Sequence, residues 1–169
     1  MGFSGELKRV PARRLRELLA DAGGMFEELY PAEPAADGRA WLSIEKSFDG
    51  LHFLLGRLAA GGKIPFISPL PWFAPTMDGT ESGAVLDYGP VCFRTPEQVA
   101  ELAAVLTNIS REMLRSVFDP ALMSEKKIYP ETWERGEDEF EYLWVYFQDL
   151  RDFYQQAARE GQGVLLWLA

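Results

Sequence analysis

The chain's single histidine, His52, lies three residues after Asp49, and Asp49 lies three after Lys46. On a helix that spacing is about one turn, so the carboxylate can approach the imidazole. A carboxylate that orients an imidazole is a general-base arrangement. The functional reading is a small-ligand site, or an active centre, around Asp49 and His52 with Lys46 beside them. The plainer reading makes His52 a boundary residue hydrogen-bonded to structure, with Lys46 and Asp49 a surface ion pair.

Other residue types offer less chemistry. Glu131, Glu134, Glu137, Asp138, Glu139 and Glu141 crowd one short run. They could bind a cation or a basic partner, but acids at a helix start also suit its dipole. Lys8, Arg9, Arg13, Arg14 and Arg16 form a basic run at another helix start, where they oppose the dipole and need compensation from the acidic C-terminal half or from Glu17 beside Arg13, the alternative being a contact with a small anion or RNA. Cys92 sits within a strand pattern and reads as a buried filler rather than a nucleophile. One His and one Cys cannot build a zinc site of the usual type, and no metal site or cofactor is expected. No serine lies in a GxSxG context, and neither GxGxxG nor GxxxxGK[ST] occurs.

The elements that would position these residues follow from periodicity. Residues 1–9 alternate as a half-buried strand, and Pro11 opens a helix through Leu15, Leu18 and Leu19. Residues 41–59 read as one helix, since Trp41, Ile44, Phe48, Leu51, Leu55 and Leu58 share a stripe while Phe53 faces away. A helix apolar on two sides belongs in the middle of the fold. Residues 84–88 and 90–94 read as strands. Thr95-Pro96-Glu97-Gln98 is a capping box opening another helix, and further helical pieces cover 110–118 and 120–125. The longest helix is 137–160, and the apolar run at 163–168 is a strand buried on both faces. The expected fold is a single α+β domain over residues 1–169, predominantly helical around a small mixed sheet from the N-terminal, middle and C-terminal strands.

Prolines 65, 69, 71 and 75 exclude helix through much of 61–83, yet that stretch carries Ile64, Phe66, Ile67, Leu70, Trp72, Phe73 and Met77. Such a loop either packs back on the domain or meets something else. Trp72 and Phe73 are therefore candidate partner-binding residues, and 64–77 is the candidate surface for self-association.

Several segments together carry a family resemblance. They are Lys46-Ser47-Phe48-Asp49-Gly50-Leu51-His52-Phe53-Leu54-Leu55-Gly56, Tyr88-Gly89-Pro90 followed by Thr95-Pro96-Glu97-Gln98-Val99, Phe118-Asp119-Pro120, Ile128-Tyr129-Pro130 and Gly163-Val164-Leu165-Leu166-Trp167. Their order and spacing resemble the YfbM-like family of small bacterial proteins, a domain of unknown function. The resemblance spans essentially the whole chain and implies a bacterial, cytoplasmic, single-domain α+β protein. It assigns no catalytic role to any residue.

Composition narrows the classes. The chain has 169 residues, of which 47% are hydrophobic and 25% charged, which excludes a disordered or fibrous protein. A lone cysteine excludes an internal disulfide. No apolar run is long enough to cross a bilayer, and the charged N-terminus broken by Pro11 lacks a signal-peptide stretch, so the expected location is cytoplasmic with no membrane contact. Net charge is −9, with 10 basic and 12 acidic groups up to residue 95 and 7 and 14 after it. That surface repels phosphate backbones, so nucleic acid is disfavoured, and it attracts a basic protein partner. The poverty of chemically equipped residues weighs against an enzyme. The reading is a non-catalytic interaction or regulatory protein that presents an acidic surface to a partner. The alternatives are the small-ligand site at Asp49 and His52, and a structural subunit that associates through 64–77.

Overall fold

Alternation along Gly5–Pro11 builds β1, with Leu7 and Arg9 on one face and Glu6, Lys8 and Val10 on the other. The computed structural model describes residues 2–33, 38–65 and 81–169. Pro11, expected inside the first helix, instead ends β1 and precedes α1 (Ala12–Ala20), because its backbone at ψ 144 is still extended. After α2 (Met25–Leu29), β2 (Trp41–Ser43) pairs with β1, Lys8 opposite Trp41 and Glu6 opposite Ser43.

The helix expected over 41–59 is thus divided. Its first residues are β2, and α3 is Phe48–Ala60. The break lies at Glu45, whose φ of 48 cannot continue a right-handed helix. Trp41 and Ile44 match the helical stripe in spacing, yet Trp41 lies against Trp167 on one side of the sheet and Ile44 belongs to the larger core on the other. The interior position of α3 holds: Phe48, Leu51, Leu54, Leu55 and Leu58 are buried, and within the helix only Ala60 is exposed.

Strands β3 (Glu81–Leu86) and β4 (Gly89–Arg94) form a hairpin around Asp87-Tyr88. The capping box opens α4 (Pro96–Thr107) as expected: Thr95 accepts from Gln98 N–H, and Gln98 returns to accept from Thr95 N–H. Ser110 caps α5 (Arg111–Val117), and Asp119 caps α6 (Pro120–Glu125). The long helix is α7 (Glu137–Arg159). It ends at Gly161, where φ of 62 suits a residue without Cβ, and the chain turns into β5 (Gln162–Leu168).

The strand order is β2-β1-β5-β4-β3. Among the described residues the four pairings are all antiparallel, where a mixed sheet was expected. Its strands do come from the N-terminus, the middle and the C-terminus. One face carries α1 and α2 over Val10, Val91, Leu165 and Trp167. The other carries the larger core, where α3 to α7 cover Leu7, Cys92, Val164 and Leu166. Continuous burial of β5 explains its unbroken apolar run. Trp72, Phe73 and residues 66–77 of the loop expected to drive self-association lie outside the described residues.

Candidate functional site

The first candidate constellation resolves into a structural corner. Asp49 lies in the first turn of α3, half-buried, and its Oδ2 accepts from Tyr129 N–H at 2.8 Å. Burial pushes the Asp49 carboxyl up, and the Tyr129 hydrogen bond opposes that. The Tyr129 ring stacks on Phe48 at 5.4 Å, and its hydroxyl accepts from Phe3 N–H at 3.0 Å. Next to Asp49, Gly50 lies so close to Trp133 that a Cβ would come within 2.7 Å of the indole. Asp49 thus ties α3 to the segment before α7, with its carboxylate committed to main chain. His52 is half-buried on the same helix, and Lys46 is exposed just before it. Lys46 N–H donates to the Tyr142 hydroxyl at 3.2 Å. Burial first, and then the neighbouring Tyr146, push that phenol up to about 12.

The two charge runs are answered largely within the chain. Arg115 of α5 donates to Glu137 at 2.8 Å, and Arg111 pairs with Glu141. Both guanidiniums lie 5.2 Å from the Phe140 ring. Arg135 lies 3.6 Å from Glu139. In the basic run, Lys8 and Arg14 converge on Glu28 at 2.7 and 2.8 Å, and Arg13 meets Glu17 at 3.1 Å as expected. Lys8 and Arg14 hold the Glu28 carboxyl below the usual carboxylate range against its burial.

A different site emerges where the β2 edge of the sheet meets the second half of α7. There a cleft of about 410 Å³ is lined by Arg9, Trp41, Leu42, Asp149, Asp152, Phe153, Gln156 and Glu160. The α7 residues share a face because they recur at three- and four-residue steps. Arg9, only 6% exposed, points to this side of the sheet because it alternates with Val10. Its guanidinium lies 3.4 Å from both Glu160 and Gln162 and 5.8 Å from the Phe153 ring centre. Gln156 donates to Glu160. Asp152 accepts from its neighbour Arg151 at 3.3 Å. Asp149 has no basic group within 4.0 Å among the described residues, and burial followed by the Asp152 charge pushes its carboxyl up. The arrangement can accept a cation or hydrogen-bond donors at its rim.

Of these cleft residues the sequence marked only Arg9 for chemistry, as part of the basic run. Two signals were available: an arginine on the core side of β1, and a polar stripe on α7 beyond its paired first turns. Among the described residues no group of three His, Cys, Asp or Glu could hold a metal, and no helix is long and apolar enough to cross a membrane.

Comparison with known proteins bears on the fold. The sequence matches the family model for a domain of unknown function, DUF1877, over residues 1–167. The crystal structure of a protein of unknown function, YfbM from Escherichia coli, is similar with a TM-score of 0.68 and 20% identity, covering 98% of this chain and 99% of that one. At that identity the likeness shows a shared fold. No curated protein matches. The family match covers the chain from its first strand into its last, and the protein belongs to the YfbM-like DUF1877 family.

Proposed function

We propose that the protein works by recognition rather than catalysis, and that the second half of α7 is the face it offers to a basic partner. The observation that carries this is Asp149. It is an exposed carboxylate on the wall of the cleft, losing some solvent there and pressed by Asp152, with no basic group in ion-pair reach among the described residues. A cation brought by a partner would offset both the burial and the repulsion. The net charge of −9 would speed that encounter. A small-ligand site or active centre around Asp49 and His52 has less support, since the Asp49 carboxylate is already committed to the Tyr129 main chain.

Titration with a synthetic oligo-arginine peptide at low and high salt tests the reading. Binding is expected at low salt and weakens as salt rises. The double variant Asp149→Asn, Asp152→Asn should bind about tenfold less tightly, a loss of about 1.4 kcal/mol. Glu137→Gln with Glu141→Gln should bind like the parent, because those carboxylates already face Arg111 and Arg115. If the two double variants weakened binding equally, attraction would be diffuse and the assignment to this face would fail.

A further inference from the structure

Large side chains usually leave the surface for the core, and those that remain in a contiguous set mark a contact surface. Here Trp41 is 38% exposed, Tyr30 38% and Phe26 63%. The three rings form a row, with centres 6.2 Å apart from Trp41 to Tyr30 and 5.2 Å from Tyr30 to Phe26. Buried Trp167 holds the row from beneath. Its Nε1–H donates to the Tyr30 hydroxyl at 2.8 Å, and its ring lies 5.2 Å from Trp41. The Trp41 indole also donates to the buried Glu6 carboxylate at 2.6 Å. The row is thus fixed before any partner arrives, which lowers the ordering cost of binding.

The row joins two clefts. Trp41 is a wall of the acidic cleft with Asp149 and Asp152. Phe26 and Tyr30 are walls of a second cleft of about 390 Å³, completed by Val85, Leu86, Asp87, Tyr88 and Leu168. That second cleft is mostly apolar, and Val85 is 75% exposed. Charge complementarity fixes the chemistry of what lies across them. A carboxylate rim at the Trp41 end calls for a cation, and the open apolar walls at the Phe26 end call for an aliphatic or aromatic side chain. The ring spacings correspond to three or four residues of extended chain at about 3.3 Å each.

We infer that the partner, under the reading of α7 proposed above on which this rests, presents a peptide segment with a lysine or arginine a few residues from a large apolar side chain, and that this segment lies along Trp41, Tyr30 and Phe26. Tryptophan and tyrosine in such a row are the residue types that dominate binding energy at protein interfaces. The basic side chain enters beside Asp149, and the apolar one settles against Phe26 and Val85.

Selection of random dodecapeptides displayed on phage tests this, followed by fluorescence polarisation on the enriched peptides. Three proteins are compared: the parent, Phe26→Ala with Val85→Ser, and Asp149→Asn with Asp152→Asn. All four positions are at least partly exposed, and melting curves establish that each variant folds. The expected result is enrichment of sequences that pair Lys or Arg with Leu, Phe or Trp, each double variant weakening them roughly tenfold. Addition of such a peptide should also shift the Trp41 indole resonance. Basic peptides indifferent to the Phe26 and Val85 changes would overturn the inference and leave the acidic face standing. Apolar peptides indifferent to the Asp149 and Asp152 changes would overturn both, as would no enrichment at all. Self-association abolished by Phe26→Ala would reassign the row to a second copy of the chain and overturn the peptide.

Discussion

The two ends of α7 carry similar acidic residues and use them in opposite ways. At the first end, Glu137 and Glu141 face Arg111 and Arg115, which lie one helical turn apart on α5 just as the two glutamates do on α7. The arginines also cover Phe140, so charge and core packing reinforce each other there. At the far end, Asp149 and Asp152 face a cleft in which the buried Arg9 lies against Glu160 and Gln162. The same residue type is a fastener where a neighbouring helix supplies arginines and an open acceptor where it does not. Composition alone cannot separate these, because the difference lies in the neighbour. Changes at the fastened end should therefore cost stability, and changes at the open end should cost binding alone.

The largest stability loss should come from Trp133→Ala. The indole is fully buried just before α7, touches the Gly50 position closely, and donates to Ile128 C=O at 2.7 Å. Removing it leaves a large cavity and takes one of two hydrogen bonds from the Ile128 carbonyl, which keeps Glu131 N–H, so a loss of about 3–5 kcal/mol is expected in urea unfolding. A loss below about 1 kcal/mol would mean that this end is not anchored as described.

Asp49→Ala comes next. It leaves the Tyr129 N–H without its acceptor, for an expected loss of about 1–3 kcal/mol. Asp49→Asn keeps an acceptor oxygen and should lose less. The pH dependence separates the two causes acting on this carboxyl. Burial raises its folded pKa above the unfolded value, so the native state holds the proton more tightly than the unfolded chain does. This group's contribution is therefore most favourable at low pH and declines as pH rises from the ordinary aspartate value of about 3.9 through the raised one. Asp49→Asn should flatten that part of the stability curve. An unchanged curve would show that the carboxylate carries no net burial cost.

Local signals were legible in the sequence, and pairing between distant segments was not. The capping box at Thr95 and Gln98 involves adjacent residues and could be read directly, as could the stripe of α7 and the apolar run of β5. The division of 41–59 could not, because a three-residue strand exists only through its bonds to β1. Asp49 stood out as a residue, but its role depends on Tyr129, 80 positions away. The cleft draws Arg9, Trp41 and Asp149 from three separate parts of the chain, so nothing in any one of them marks it. The aromatic row likewise depends on Trp167 rising beneath Tyr30 and Trp41.

The smallest effect makes the sharpest test of the open end. Asp149 and Asp152 repel one another across a single helical turn, and burial adds to the cost of the Asp149 charge. Asp149→Asn removes that repulsion with little change of shape. Like charges at such spacing destabilise a helix by about 0.2–0.5 kcal/mol, so the variant should be more stable than the parent by about that amount. The gain should shrink as salt rises, since added ions screen the same repulsion. The raised Asp149 pKa fixes the pH sense: as pH falls through it the carboxyl protonates and the parent approaches the variant. Double-mutant analysis with Asp152→Asn completes the test, because the gain from Asp149→Asn should shrink to the part that burial contributes once Asp152 is neutral. A loss of stability instead would mean that Asp149 has a stabilising contact, making this end another fastener and removing the acceptor on which recognition at the cleft depends.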